Sequence, residues 1–174
     1  NVLDEQHRPI LLISALAEHT KNLLADPKVS LSVMESGIAN IQDGQRLTLV
    51  GDAEQFEPNQ KLIARYLRYV PAAEQYLQLD FMFFRIIPKR LRYIGGVGKM
   101  GWVEADTLEV ANKLPLTDES SLLSEAGAVA PRNVTLLGID LYGIDYVVDG
   151  FRDRRELGEG SLRNAVLAAA STLS

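Results

Sequence analysis

The stretch that decides the fold is residues 9–33, which read PILLIS (9–14), ALAEHTKNLLADP (15–27) and KVSLSV (28–33). The short apolar run 9–14 predicts a buried strand, and the alternation of 29–33 predicts a strand with one solvent-exposed face. Between them, 15–27 predicts a polar corner and about two turns of helix. The helix should end at Asp26-Pro27, because proline cannot continue a helix and disfavours helical backbone in the residue before it.

The polar corner is the first candidate site. It brings Ser14 to the start of the short helix, where backbone N–H groups lack partners and carry a partial positive charge. His19, Thr20, Lys21 and Asn22 add hydrogen-bond donors and one full cation, so the corner can hold a phosphate or a carboxylate. The alternative is that Ser14 and Thr20 only cap the turn, which is the commoner use of these residue types, while Lys21 is a solvated surface charge.

Composition excludes several classes of function. The chain has 174 residues, enough for one large domain or two small ones, and its net charge of −5 argues against nucleic-acid binding through a basic surface. It has no cysteine, which excludes disulfides and thiolate nucleophiles and suits a cytoplasmic location. No apolar run approaches the roughly 18 residues that cross a bilayer, so we expect no membrane partner.

The histidine content limits metal chemistry. His7 and His19 are the only histidines, and two residues cannot form a multi-histidine metal centre within one chain, so we expect no metal site of that kind. His7 precedes Arg8-Pro9 in a predicted turn, and we interpret it as a surface residue.

The middle of the chain predicts further antiparallel strands and a glycine-rich turn. Residues 46–54 and 80–88 read as strands, two short helices lie at 60–69 and 72–79, and a return strand begins at 91. The run GGVGK (95–99) fails the phosphate-loop pattern, because Gly-x-x-x-x-Gly-Lys-Ser/Thr is not satisfied and no helix follows. It indicates either a bulge or barrel corner, or bare backbone against a flat ligand whose anionic groups Lys99 would meet.

After Val103 the pattern changes to a small α/β domain. Two helices are predicted, one at 106–112 and one that Thr117 caps and that runs through Leu123. A hairpin follows at 133–140 and 143–148, then a solvated turn at 152–156, and a last helix at 162–173 that Ser161 caps. We therefore predict domains at 1–103 and 104–174.

Five segments together resemble a known family. They are 13–23, 26–31, 51–53, 76–81 and 95–99. The chain is similar to the pyridoxamine 5'-phosphate oxidase-like FMN-binding split-barrel family, in its haem-utilisation branch, which resembles haem oxygenases. The resemblance implies an α+β fold with a six-stranded antiparallel split β-barrel followed by a small α/β domain. It also implies a homodimer with a small-molecule ligand at the dimer interface.

The resemblance also assigns candidate binding residues. In flavin-binding members, the positions that match Ser14, His19, Thr20, Lys21 and Asn22 lie where the flavin phosphate binds. In haem-degrading members the same cleft holds haem, and a second basic position beside the ligand matches the lysine at 99. No residue in the sequence is a convincing catalytic acid or base, so the catalytic residues are not assigned.

Three features depart from the family. The sequence begins just before the second strand, so the family's first strand is missing. The histidine-containing helix that usually opens the second domain has no counterpart between Glu125 and Asn133. We expect both segments to be absent from this sequence rather than from the protein. No late histidine is present to bind haem iron, which argues against haem degradation.

Three functions follow as hypotheses. The first is an FMN-binding split-barrel protein that acts as a flavin-dependent oxidoreductase or binds flavin without catalysis. The alternative is a haem-binding or haem-degrading protein. The third is a non-catalytic dimeric binding module.

Overall fold

A computed structural model describes residues 2–34, 44–95, 99–109 and 112–174 of the chain. Contacts within the chain define two units. The first contains Asn1–Glu57 and Tyr76–Ala111, and the second contains Pro58–Gln75 and Asn112–Ser174. The sequence prediction put one boundary after residue 103 and did not group 58–75 with the second half of the chain.

The elements follow one another as strands and short helices. The strands are β1 Val2–Leu3, β2 Pro9–Ser14, β3 Lys28–Met34, β4 Arg46–Gln55, β5 Phe81–Ile94, β6 Met100–Glu104, β7 Val134–Ile139, β8 Gly143–Val148 and β9 Phe151–Glu156. The helices are α1 Glu18–Ala25, α2 Gln60–Tyr69, a 3-10 helix Pro71–Tyr76, α3 Asp106–Glu109, α4 Leu116–Val129 and α5 Leu162–Ala170. The predicted second helix at 72–79 is thus a 3-10 turn.

The first unit is built on one antiparallel sheet. Its strand order is β1-β2-β5-β4-β3, and β6 pairs with β5. The predicted α+β class with antiparallel strands is therefore confirmed. The two ends of the sheet, β1 and β3, do not pair with each other in the described residues, so closure into a six-stranded barrel stays a prediction.

A bulge bends β5 where it crosses β4. The register shifts between Val50 and Gly51, so that Val50 lies opposite Arg90 while Gly51 lies opposite Pro88. A side chain at Gly51 would place its Cβ 2.1 Å from the Ile87 carbonyl oxygen, so this close approach requires glycine. The inner face on either side of the bulge is apolar and buried, at Leu49, Ala53, Phe84, Ile86 and Leu91.

The second unit packs helices on a three-stranded sheet of order β7-β8-β9. Its core joins α4, α5 and the sheet, and it consists of Leu122, Ala126, Ile139, Ile144, Tyr146, Val166, Ala170 and Leu173. The predicted hairpin of β7 and β8 is confirmed. The charged stretch 152–156 is not a solvated turn as predicted, because it forms the edge strand β9.

Two helix termini differ from the sequence prediction. α4 begins at Leu116 rather than at a Thr117 cap, and it runs on to Val129. The Ala130 N–H donates to the Ala126 carbonyl, and the Val134 N–H donates to the Pro131 carbonyl at the start of β7. α4 thus extends into the segment between Glu125 and Asn133, where the family's histidine-containing helix has no counterpart in the sequence. None of the residues of α4 is a histidine. Ser161 precedes α5, but its side chain makes no capping hydrogen bond.

No helix among the described residues combines the length and the apolar character needed to cross a bilayer.

Candidate functional site

The polar corner is held together by its own hydroxyl groups. The Thr20 hydroxyl donates to the Ser14 carbonyl oxygen at 2.6 Å, and Thr20 is fully buried. The Ser14 hydroxyl oxygen accepts from the Leu16 N–H at 3.2 Å, and the Ala17 N–H donates to the Ser14 carbonyl at 3.1 Å. Both hydroxyls thus make local hydrogen bonds to the backbone of the turn, although neither caps α1, and Thr20 has no surface to offer a ligand.

The other three corner residues are exposed. His19, Lys21 and Asn22 all face solvent on α1. The Lys21 ammonium lies 3.7 Å from a Glu18 carboxylate oxygen, and both side chains are mostly exposed, at 61% and 80%. Such a pair contributes less than about 1 kcal/mol to stability. The Glu18 charge also opposes an anion at the start of the helix, which weakens the corner as a phosphate site.

Lys99 and the polar corner lie toward opposite ends of the long strand β5. Phe81, the first residue of β5, lies opposite Ser14, and Ile94, the last, lies opposite Met100. A strand of 14 residues spans roughly 45 Å when straight, although the bulge in β5 shortens this distance. Lys99 is exposed, and its carbonyl accepts from the Gly95 N–H at 2.7 Å. One chain therefore does not bring Lys99 to the corner; residues 96–98 of the glycine-rich run lie outside the described residues.

An apolar cavity of about 430 Å³ opens on the inner face of the same sheet. Among the residues that the structure describes, seven apolar side chains and one histidine line it: Leu3, His7, Pro9, Leu31, Val33, Leu47, Leu49 and Leu91. The cavity lies between the β1–β2 turn and the paired strands β3 and β4, at the end of β2 away from Ser14. The sequence analysis did not predict it, because its walls come from four separate parts of the chain.

The turn that carries His7 is fixed by a buried carboxylate. Asp4 accepts from the backbone N–H groups of Gln6 at 2.8 Å and Arg8 at 2.9 Å, and its other oxygen accepts from the Arg8 guanidinium at 2.8 Å. His7 itself has φ of 61°, and its N–H donates to the Asp4 carbonyl at 3.0 Å. His7 is half-buried at the cavity, which corrects its interpretation as a surface residue.

A second, smaller cavity of about 270 Å³ continues the first. The two share Val33 and Leu47, and the smaller one also reaches Met34, Gln45, Arg46 and Tyr93. The Tyr93 hydroxyl donates to the Gln45 side-chain oxygen at 3.0 Å. The apolar surface thus extends from a histidine at one rim to an arginine at the other.

Charged groups in the second unit are used differently. Glu119 on α4 is almost fully buried, and it forms ion pairs with Arg65 and with Arg68 of α2, the latter at 3.4 Å. It also accepts from the Ile139 N–H at 3.0 Å. The Arg68 guanidinium donates to the Leu137 carbonyl at 2.8 Å, and burial lowers its pKa. This carboxylate therefore ties α2 and α4 to β7.

A second set of polar groups fixes α2 to β8. The Tyr69 hydroxyl donates to Asp145 at 2.5 Å, and burial, followed by this hydrogen bond, raises the pKa of Tyr69 above its ordinary value. Arg154 donates to both Asp145 and Asp140. Burial raises the pKa of Asp140, but the hydrogen bonds from Arg154, Tyr142 and Gly143 outweigh it and leave that pKa below its ordinary value. These groups satisfy one another, as a structural network requires.

The side chains that could bind a metal limit which cofactor the first unit can hold. Within 2–34, 44–95, 99–109 and 112–174, no group of three or more histidine and carboxylate side chains could hold a metal ion on its own. Haem iron needs only one protein ligand, because the porphyrin supplies the other four nitrogens. An apolar cavity with one imidazole in its lining and a guanidinium beyond it matches the chemistry of haem, which is a largely apolar plane with two carboxylates.

Comparison with known proteins points to haem as well. No family model matches the chain. Over 96 residues, 54% of the chain, it is 42% identical to "Non-canonical heme oxygenase HOZ, chloroplastic" of Arabidopsis thaliana. The matched part spans only 29% of that relative's length.

Two solved structures resemble the whole chain. One is a heme binding protein from Mycobacterium smegmatis, 27% identical, with a TM-score of 0.56 over 95% of this chain and 81% of the other. The second is a protein of unknown function from Agrobacterium tumefaciens, 22% identical, with a TM-score of 0.72 over 95% and 78%, which shows the fold alone.

The chain is therefore similar to proteins named for haem binding and for haem oxygenation. None of these three names mentions a flavin, so the FMN prediction gains no support from them. The cytoplasmic location stays a prediction, since the plant relative is named as chloroplastic.

Proposed function

We propose that this chain is a haem-binding domain, and that the protein to which it belongs acts in haem binding or haem oxygenation. The observation that carries the proposal is the similarity to a heme binding protein over 95% of the chain, at 27% identity. The 42% identity to a heme oxygenase supports it over the 96 matched residues. This reverses the order of the sequence hypotheses, in which FMN came first.

The chemistry of the apolar cavity supports the same proposal. Its leucine, valine and proline side chains would exclude water from one face of a porphyrin, and burying such a surface is favourable by about 25 cal/mol per Å². Arg46, at the far rim, would pair with a propionate carboxylate. When bound, haem supplies an iron centre that can bind a further ligand on its open side.

Absorbance titration tests the proposal directly. We expect ferric haem added to the chain to give a shifted Soret band that saturates near one haem per chain. A parallel titration with FMN, followed by flavin fluorescence, tests the competing hypothesis. No saturable change with haem at tens of micromolar would contradict the proposal. Binding of neither ligand would favour the non-catalytic module instead.

FMN at the polar corner is the second candidate. The observation that favours it is the exposure of Lys21 and Asn22 at the start of α1. If FMN binds there, the substitution Lys21→Ala should weaken its affinity several-fold, because a phosphate would lose its cation. The Glu18 side chain gives a matched variant, since Glu18→Ala should then strengthen FMN binding.

The homodimer implied by the family resemblance is a further proposal. It is supported by the positions of the corner and Lys99 toward opposite ends of β5, since a site that used both would need a second copy of the chain. Light scattering during size-exclusion chromatography would measure the mass in solution. A mass of one chain at micromolar concentration would exclude a stable dimer.

A further inference from the structure

We propose that two copies of this chain associate through the outer face of β5 and β6, which carries Arg92, Trp102 and Glu104. Arg92 of each copy would pair with Glu104 of the other across a twofold axis, and the two Trp102 rings would pack together beside that axis. This inference rests on the proposed homodimer, because it assigns that dimer its contact surface and the two side chains that match the copies to each other.

The alternation of side chains along β5 and β6 defines this outer face. Leu91 is buried and lines the apolar cavity, so its neighbours Arg90 and Arg92 point to the opposite side of the sheet. The register places Arg92 opposite Trp102 and Arg90 opposite Glu104. The four side chains therefore share one face, which is the face directed away from the cavity.

The outer face has the composition of a protein interface. All five residues of β6 are exposed, among them Trp102 at 53% and Met100 at 66%. Tryptophan, methionine and arginine are enriched where proteins meet, and tryptophan is a frequent centre of binding energy. The guanidinium carbons of Arg90 and Arg92 lie 5.0 Å and 5.8 Å from the centroid of the Trp102 ring. These cation–π contacts fix the indole before a partner binds, which lowers the entropy cost of association.

The charges on this face favour a second copy as the partner. Arg92 forms no ion pair within the part of the chain that the structure describes, so its guanidinium is available to a carboxylate. Glu104 is 60% exposed and accepts from Arg90 at 3.1 Å through one oxygen, and a carboxylate can accept further donors. Because Arg92 lies opposite Trp102, two residues before Glu104 on the same face, a twofold axis between them brings each arginine to the other copy's glutamate. The surface is thus self-complementary, as a symmetric interface requires.

The outer face is also separate from the open ends of the sheet. Among the described residues β1 and β3 do not pair with each other, and the family's first strand is expected to be missing from the sequence. A strand added at either end would lie in the plane of the sheet, because ladder hydrogen bonds run within that plane. Such a strand would leave the outer face of β5 and β6 uncovered.

Reversing one charge at a time tests the pairing. Arg92→Glu gives a chain that is acidic at both positions, and Glu104→Arg gives a chain that is basic at both. For each variant alone we expect the dissociation constant of the dimer to rise by at least about tenfold, because like charges would meet across the axis. An equimolar mixture of the two should form a dimer, because it restores both contacts between opposite charges. Size-exclusion chromatography with light scattering measures the mass in each case.

Two further measurements complete the experiment. Arg132→Glu is the matched control, since Arg132 is an exposed arginine of the second unit, and this variant should dimerise like the unmodified chain. Trp102 is the only tryptophan, so fluorescence reports its surroundings without any substitution. As the unmodified chain is concentrated from monomer to dimer, its emission should shift to shorter wavelength and acrylamide should quench it less.

Each result supports or overturns a named claim. Dimers in both single variants, or a mixture that stays monomeric while the unmodified chain dimerises, would overturn this surface and leave the homodimer intact. A dimer whose Trp102 emission does not change with concentration would do the same. An unmodified chain that is monomeric throughout would overturn the homodimer together with this inference, whereas the haem titration decides the proposed haem binding separately.

Discussion

The polar corner of the first unit and the buried charge network of the second use their polar groups differently. In the second unit, a buried glutamate, three arginines, a tyrosine and two aspartates bond to one another and hold helices to a sheet. In the first unit, His19, Lys21 and Asn22 of the corner face solvent, and a histidine lines an apolar cavity. Charged groups that pair with one another inside a unit stabilise its fold. A side chain with a free nitrogen that lines an apolar cavity is instead available to bind a ligand.

The largest effect should come from the buried carboxylate. Glu119→Ala leaves Arg65 and Arg68 without their shared partner and the Ile139 N–H without its acceptor. We expect the free energy of unfolding to fall by about 3–5 kcal/mol, measured by urea denaturation. Glu125 on the same helix is the control, because its pair with Arg163 is largely exposed. Glu125→Ala should cost less than about 1 kcal/mol. Equal losses would remove the distinction between buried and exposed charge.

In the first unit, stability should depend on close backbone packing. Gly51→Ala would drive a methyl group into the Ile87 carbonyl, and because that atom belongs to the backbone of β5 it cannot move aside easily. We expect a loss of about 1–3 kcal/mol in the free energy of unfolding. Gly101, in β6, has open space at its Cβ position. Gly101→Ala should change stability little, and a similar loss there would count against the close approach at Gly51.

A smaller effect is expected at the corner. Thr20→Val keeps the shape of the side chain but removes its hydrogen bond to the Ser14 carbonyl. The free energy of unfolding should fall by about 1 kcal/mol, since the lost bond is buried. Thr172 makes a comparable bond to the Ala169 carbonyl in an exposed position. Thr172→Val should therefore have a smaller effect, and a loss equal to that of Thr20→Val would contradict the structural role of the corner.

The smallest effect is a change in acid sensitivity. Because the pKa of Asp140 is lowered in the folded chain, its charge stabilises the fold above about pH 4, and this contribution is lost as the pH falls through the folded pKa. Asp140→Asn should be slightly less stable at neutral pH, and its difference from the unmodified chain should shrink on acidification. Urea melts at several pH values measure the difference; a difference that grows in acid would contradict the lowered pKa.

Local patterns in the sequence were sufficient for most strands of the first unit. The alternation of 29–33 and the apolar run 9–14 predict β3 and β2, because a strand facing a core leaves a period of two in the sequence. The Asp149-Gly150 pair, with φ of 50° and 83°, is a strong signal for the two-residue hairpin that leads into β9. The charged composition of 152–156 pointed instead to a solvated turn, so β9 was not predicted.

Long-range relations could not be predicted in the same way. The Tyr69–Asp145 bond joins residues 76 positions apart, and the Arg65–Glu119 pair joins residues 54 apart. No local period records such partners, so the grouping of α2 with the second unit emerged only from the structure. The same holds for His7, whose cavity is completed by side chains as distant in sequence as Leu91.

Blocking the cavity tests the central claim most directly. Leu47 and Leu24 are both partly exposed leucines of the first unit, but only Leu47 lines the cavity, whereas Leu24 lies on α1 beside the corner. We predict that Leu47→Glu abolishes the saturable Soret shift on haem titration, because a carboxylate there would repel the porphyrin, and that Leu24→Glu retains it. Retention of the shift in folded Leu47→Glu, or its loss in Leu24→Glu alone, would show that haem does not bind in this cavity.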